Sequence, residues 1–203
     1  MSNPAAPVNR RVTGAGFSLV ELLFVLAILA TLAGIGIPLT TSALDEMRVG
    51  MAARYVAGRI VGARLDALQR STALGLRFDA GGADYSFATC VDGNGNGLRT
   101  AEIASGTDQQ ITPAEFLGQR FADVQFGLSA GVPDLDGGWQ TENADGVRLG
   151  ASRILTVGPD GTATSGTLYV RGKRGQYAIR VLGATARVRL FQYQTGARAW
   201  IAR

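Results

Sequence analysis

From Phe17 to Pro38 the chain reads FSLVELLFVLAILATLAGIGIP, a run of 22 residues whose single charge is Glu21. Coiled as an α-helix at about 1.5 Å per residue it is roughly 33 Å long, enough to cross a hydrocarbon core of about 30 Å. The pattern predicts one membrane-spanning helix over 17–38. Beyond it the spacing turns amphipathic. Leu44, Met47, Met51, Tyr55, Gly58, Gly62 and Leu65 recur near every 3.6 residues, so the helix is expected to continue over 39–74 with this stripe packed as core. Ser42 followed by Asp45 and Glu46 has the pattern of a helix start, and Arg59, Arg64 and Arg70 suit later turns. Pro38, after Gly34 and Gly36, marks either a kink near Ile37 or simply the exit from the membrane.

After residue 75 short apolar alternations are broken by Gly, Asp and Asn. Segments 76–79, 84–91, 121–128, 154–157, 167–171, 177–182 and 186–193 read as strands. Gly158-Pro159-Asp160-Gly161 and Lys173-Arg174-Gly175 supply tight turns. The loops 101–113 and 132–150 show no clear element. The expected class is α+β, a long amino-terminal helix packed on an antiparallel β domain over 75–203.

Composition narrows the chemistry. Among 203 residues there is no His, which removes His-dependent triads, imidazole metal ligands and the usual proton shuttle near neutral pH. Cys90 is the only cysteine, so no intramolecular disulfide or Cys-rich zinc site can form. On an apolar strand it reads as a core filler. Asp134, Asp136 and Glu142 fall in a Gly-rich loop as solvated turn residues, and no catalytic constellation emerges. The expectation is a protein that is not an enzyme. A net charge of +4 with a pI near 9.7 permits an acidic partner without requiring one.

The segment before the apolar run carries Arg10 and Arg11 and no acid. This places the amino end in the cytoplasm and sends the bulk of the chain outward. A secretory signal has a shorter apolar region, of about 7–15 residues, before its cleavage site; Thr41-Ser42-Ala43 matches such a site weakly. Glu21 needs a cationic partner or a shallow location in lipid. Gly16-Phe17-Ser18-Leu19-Val20-Glu21-Leu22-Leu23, preceded by Arg10 and Arg11, closely resembles the leader of type IV prepilins and pseudopilins. The resemblance implies removal of residues 1–16 by a prepilin peptidase, which cuts between Gly16 and Phe17 and methylates the new amino group of Phe17. Such a cut leaves a cationic amine one helical turn from Glu21 and lowers the cost of its carboxylate. In the family this Glu pairs with the terminal amine of a neighbouring subunit, so Glu21 is the expected filament-assembly residue. A plain membrane anchor with a tolerated Glu, unprocessed, is the competing reading.

The likeness extends to Ala63-Arg64, Ala67-Leu68-Gln69-Arg70-Ser71, the Asp92-Gly93-Asn94-Gly95-Asn96-Gly97 turn, the Gly158–Gly161 hairpin and Ala186-Arg187-Val188-Arg189. Together these resemble the FimT/GspH group of minor pilins and pseudopilins. The resemblance implies a minor pseudopilin of a type II secretion system, part of the tip or initiating complex of a pseudopilus that moves folded proteins outward. The alternative is a FimT-like minor pilin of a type IV pilus, in assembly or DNA uptake. Expected partners are other pilins through the amino-terminal helix, the prepilin peptidase and the bacterial inner membrane, with the globular domain in the periplasm.

Two patches have both a functional and an ordinary reading. Asp92, Asn94 and Asn96 alternate before Gly97 like the first half of an EF-hand loop, but Ile103 stands where a bidentate Glu is required and Glu102 comes one residue early. A shorter calcium turn competes with a plain Asn/Gly turn between strands, and the plain turn is favoured; calcium is the only cofactor suggested. Arg187 and Arg189 match the arginines of a Gly-Arg-x-Arg motif through which some FimT-type pilins bind DNA, with Ala186 in place of the Gly. Nearby Phe191, Tyr193 and Trp200 could stack on bases. The favoured reading of the two arginines is the solvent face of a strand.

Overall fold

The computed structural model describes residues 17–82, 84–142 and 144–203, without the side chains of residues 36–39. Arg10, Arg11 and Gly16 of the leader lie outside the described residues, and Pro38, where a kink or the membrane exit is expected, falls within α1 (Leu19–Arg70). The described residues fall into two units, one ending at Thr40 and the other Thr41–Arg203.

One helix, α1 (Leu19–Arg70), supplies the described helical part of the first unit and opens the second. In the first unit its large apolar side chains, from Leu19 to Ile35, are all exposed. The one hydroxyl within this stretch is satisfied locally, since Thr31 Oγ1 donates to the Ala27 carbonyl at 2.8 Å. That bond leaves the segment compatible with an apolar solvent. The helix is long and apolar enough to span a membrane.

α1 runs through Ser42, Asp45 and Glu46 without a new start, contrary to the helix-start pattern read there. It also stops short of the expected Leu74. Ser71 takes a left-handed φ of 51° and the Thr72 N–H reaches back to the Ala67 carbonyl at 3.2 Å, which closes the last turn and frees Leu74 to begin a strand.

The second unit carries two antiparallel sheets. The first is ordered β3-β2-β1-β7, with β4 also on β2; its strands are β1 (Leu74–Gly81), β2 (Asp84–Val91), β3 (Gln109–Gln110), β4 (Glu115–Phe116) and β7 (Ile154–Val157). The second is ordered β11-β10-β9-β8-β5, with β6 also on β8. It is built from β5 (Gln125–Phe126), β6 (Val147–Arg148), β8 (Gly166–Arg171), β9 (Gln176–Leu182), β10 (Arg187–Gln194) and β11 (Ala199–Ala202). Short helices α2 (Thr100–Ser105) and α3 (Leu117–Arg120) sit in the connections. The strand expected over 121–128 shrinks to Gln125–Phe126 because α3 and a turn at Asp123, with φ of 63°, occupy the approach to it. The loops 101–113 and 132–150 yield α2, β3 and β6, pieces too short for periodicity to reveal. The architecture is the expected α+β one, a long amino-terminal helix packed on antiparallel sheets.

The packing face of the helix is not the expected one. Val49, Ala52, Ala53, Val56, Ile60, Ala63 and Ala67 are buried and join Leu76, Phe78, Leu155, Leu168, Val170 and Ile179 of both sheets in one core. Leu44, Met47, Met51, Gly58 and Leu65 are exposed instead, with Tyr55 and Gly62 half-buried at the flank. Alanine has no side chain beyond Cβ, so an alanine face lets the helix approach the sheets more closely than a Leu/Met face would. Both stripes are apolar at helical spacing, and periodicity alone does not rank them. Cys90 is buried beside Leu98 and Ile154, and burial pushes its thiol pKa up.

Polar clamps fix the helix on the sheets. The buried Asp45 carboxylate accepts the backbone N–H groups of Lys173 at 3.1 Å, Arg174 at 2.7 Å and Gly175 at 2.8 Å, all in the β8–β9 turn. Gly172 is required there, because a Cβ would lie 2.6 Å from Asp45 Oδ1. Further along, Tyr55 donates to Glu115 at 2.8 Å and Arg59 to Thr89 at 3.0 Å.

Burial alone would raise the Asp45 pKa, but the three N–H bonds outweigh it and hold the carboxyl below the ordinary range. Asp92 is lowered in the same way by the N–H groups of its loop, and Asp134, also buried, is lowered chiefly by the Arg148 guanidinium and then by backbone N–H groups. A lowered folded-state pKa gives stability that is present above the unfolded value of about 3.9 and is lost as the pH falls through the folded value. Asp45→Asn, which turns an amide N–H toward backbone donors, is expected to cost about 1–3 kcal/mol at neutral pH. Urea unfolding of the detergent-solubilised chain should show that loss, and the gap between variant and wild type should narrow in acid.

Candidate functional site

The sequence-predicted assembly residues lie on the amino-terminal half of α1. Phe17 is 80% exposed just before the helix, and Glu21 sits in its first turn, exposed. Glu21 follows Phe17 by four residues, and the helix begins between them at Leu19. A carboxylate in the first turn is favoured by the unpaired N–H groups of the helix start. Glu21 has no ion-pair partner among the described residues. Gly16, the other half of the expected cleavage site, lies outside the described residues.

Within the second unit, the solvent face of α1 carries a second apolar surface. Leu44, Met47, Met51, Val61, Leu65 and Leu68 are all exposed. With Arg54 and Gly58 they follow an alternating three-and-four spacing, the seam pattern by which one helix packs against another. Gly58 and Gly62 lie in this surface with nothing within 4 Å of where a Cβ would stand. Gly50 differs, since its Cβ would meet the Tyr177 hydroxyl at 3.0 Å. Packing within the chain therefore explains Gly50, while Gly58 and Gly62 lower helix propensity with no compensating intrachain contact. Sequence reasoning placed both glycines in a core stripe. Their Gly-x-x-x-Gly spacing was the available signal.

The Asp92 loop is closed by its own backbone. Asp92 Oδ1 accepts from the N–H groups of Asn94 at 3.0 Å and Gly95 at 2.8 Å, and Oδ2 from Gly97 at 2.7 Å. Asn94 and Asn96 aim their amide nitrogens at the two Glu102 oxygens, at 3.3 and 2.9 Å. Asp108 accepts from Gly93 and Arg99 and staples the base of the loop. Glu102 is thus brought to the asparagines as an acceptor of their N–H groups. No group of three or more acidic or cysteine side chains suited to a metal occurs among the described residues. The turn reading accounts for each of these bonds.

Arg187 and Arg189 are exposed on β10 and alternate with half-buried Val188 and Leu190, which pack against the core. Pairing places Arg189 opposite Arg180, Arg180 opposite Thr167, and Thr167 opposite Arg148. These side chains share the sheet face turned away from α1. Asp134 holds Arg148 at 2.6 Å and Asp136 holds Arg180 at 2.8 Å, which fastens the 134–138 loop to the sheet. Arg187 and Arg189 have no carboxylate partner among the described residues; Arg189 instead lies over the Phe191 ring, 5.9 Å from its centroid. Ala186 is left-handed, with φ of 48°, the conformation that glycine adopts most cheaply. A left-handed residue thus directly precedes the arginine pair.

No family model matches the chain, and no solved structure matches it. It is 37% identical over 84 residues to a pilin-like protein, PilA1, of Thermus thermophilus. The match covers 41% of this chain and 52% of that protein, so the chain spans about half the length of the curated relative. Together with the helix-on-sheets architecture, this similarity supports a type IV pilin-like protein.

Proposed function

We propose that this chain is a pilin-type subunit of a cell-envelope filament, cut between Gly16 and Phe17, methylated on Phe17 and assembled through α1. The observation that carries the reading is the solvent face of α1, where a seam of Leu, Met and Val surrounds two glycines that the chain itself does not need. Exposed apolar surface with helical seam spacing fits a neighbouring helix. The leader resemblance and the similarity to a pilin-like protein point the same way. Within that class the FimT/GspH likeness favours a minor pseudopilin of a type II secretion system, with Glu21 pairing to a neighbour's amino terminus. The role is structural, the anchor is the inner membrane with the amino end cytoplasmic, and the domain is periplasmic.

A second reading, a FimT-like minor pilin that takes up DNA, draws on Arg187 and Arg189, which have no carboxylate partner among the described residues, and on the left-handed Ala186 before them.

Mass spectrometry of the chain from its native membrane should find an amino terminus at methylated Phe17; an intact leader would sink the filament reading. Deleting the gene should abolish exoprotein secretion under the first machine, and piliation or transformation under the second.

Gly58→Ala and Gly62→Ala should each stabilise the monomeric chain by about 0.5–1 kcal/mol, since alanine is the better helix former and has room. Gly58→Leu should block incorporation into filaments while leaving the fold intact. Normal incorporation of the leucine variant would remove the helix-docking role.

Replacing Arg187 and Arg189 with Ala should abolish salt-dependent binding of single-stranded DNA if the uptake reading holds. Equal, salt-insensitive behaviour of wild type and variant would leave assembly alone.

A further inference from the structure

β8 and β10 run one way and β9 the other, so the β8–β9 turn (172–175) and the β10–β11 turn (195–198) lie at the same end of the second sheet. Asp45 grips the backbone of the first turn, while the side chains of Lys173 and Arg174 are exposed. Arg174 Nη1 also bonds the Ser42 hydroxyl. The second turn borders the same open recess of about 400 Å³, lined by Ser42, Glu46, Arg174, Thr195 and Gly196. It ends in Arg198, exposed and left-handed with φ of 50°.

The acidic groups nearby are already engaged. Asp45 is taken by the turn, Glu46 by Gln192 Nε2, and Asp123 by Lys173 Nζ at 2.8 Å. Arg174 and Arg198 have no carboxylate partner among the described residues.

Chain connectivity says what these cations meet. Ser42 stands four residues after Pro38, and four residues reach at most roughly 14 Å even when fully extended. The polar layer on each side of a bilayer is itself roughly 5–8 Å deep. If Phe17–Pro38 spans the membrane, the recess beside Ser42 therefore sits at or next to the headgroups.

We propose that the two turns form a headgroup collar. Arg174 and Arg198, with Lys173 exchanging away from Asp123, bind the phosphates of anionic phospholipid and hold the β domain in one orientation before assembly. The inference rests on the membrane reading of Phe17–Pro38. A soluble anion would have to be captured from dilution, whereas the membrane is tethered here by the chain, so a few weak, salt-screened contacts suffice to bias orientation.

The test uses the full chain in vesicles of phosphatidylcholine with or without phosphatidylglycerol. A dye is placed on Gly196→Cys, where a Cβ has open space; the native Cys90 is buried. Quenching by headgroup-labelled lipid should rise on the order of tenfold when phosphatidylglycerol is present and fall back in high salt. Combining Lys173→Gln, Arg174→Gln and Arg198→Gln should remove the rise while the chain stays resistant to alkaline extraction. Equal quenching in both lipids, an unaffected triple variant, or the same response to inorganic phosphate in neutral vesicles would overturn the collar alone. A chain extracted by alkali would overturn the membrane reading and the collar with it.

Discussion

The close approach of an alanine-rich helix face to two antiparallel sheets is the contact on which the second unit depends. Ala52, Ala53, Ala63 and Ala67 bring the α1 backbone down onto a core shared by Leu76 and Leu155 of one sheet and Leu168 and Ile179 of the other. Around this contact, polar side chains bridge from the helix to the sheets. Asp45 reaches the β8–β9 turn, and Tyr55 and Arg59 reach Glu115, Thr89 and Thr112. Each clamp satisfies groups that burial would otherwise leave unpaired. The tight Gly172–Gly175 turn is the converse of the same constraint, since side chains there would collide with Asp45 or Val49.

Val49, Val56 and Ile60 face inward with the alanines, while a second set of large apolar residues faces out. A helix that served only as a core element would carry polar residues on its solvent side. α1 instead presents Leu44, Met47, Met51, Val61, Leu65 and Leu68 to solvent, and two mid-helix glycines with open space above them. This arrangement costs solubility and helix propensity together. A subunit that gains both terms back when another helix covers the face would keep it.

The far side of the second sheet follows a different logic. Tyr169, Ala178 and Leu128 form a small separate core under the 128–144 region, with Trp200 and Phe191 at its margin. Arg148 and Arg180, aligned across strands, tie Asp134 and Asp136 down. Arg180 lies directly opposite Arg189, where like charges repel, and its Asp136 partner offsets that repulsion. Arg189 lies beyond the reach of the two aspartates, stacked on Phe191.

Much of this was legible in the sequence wherever one local pattern dominated. The apolar run fixes a spanning-length helix because no other element satisfies so many apolar residues with one charge, and Asp84–Val91 and Ile154–Val157 form strands over the residues expected. The Asp92 turn follows from Asn and Gly, whose backbone and side chains make such loops locally. Tertiary structure decided what depends on competition between equal patterns. α1 has two apolar stripes, and only the space between the sheets selected the alanine face. Asp45 reads as a helix-start residue until a turn 128 positions away offers its N–H groups. β3, β4 and β6 are two-residue strands held by partners rather than by propensity, so no window of sequence contains them. The open ground above Gly58 and Gly62 is likewise a property of the folded surface, because a glycine's surroundings are set by what packs near it and not by its neighbours along the chain.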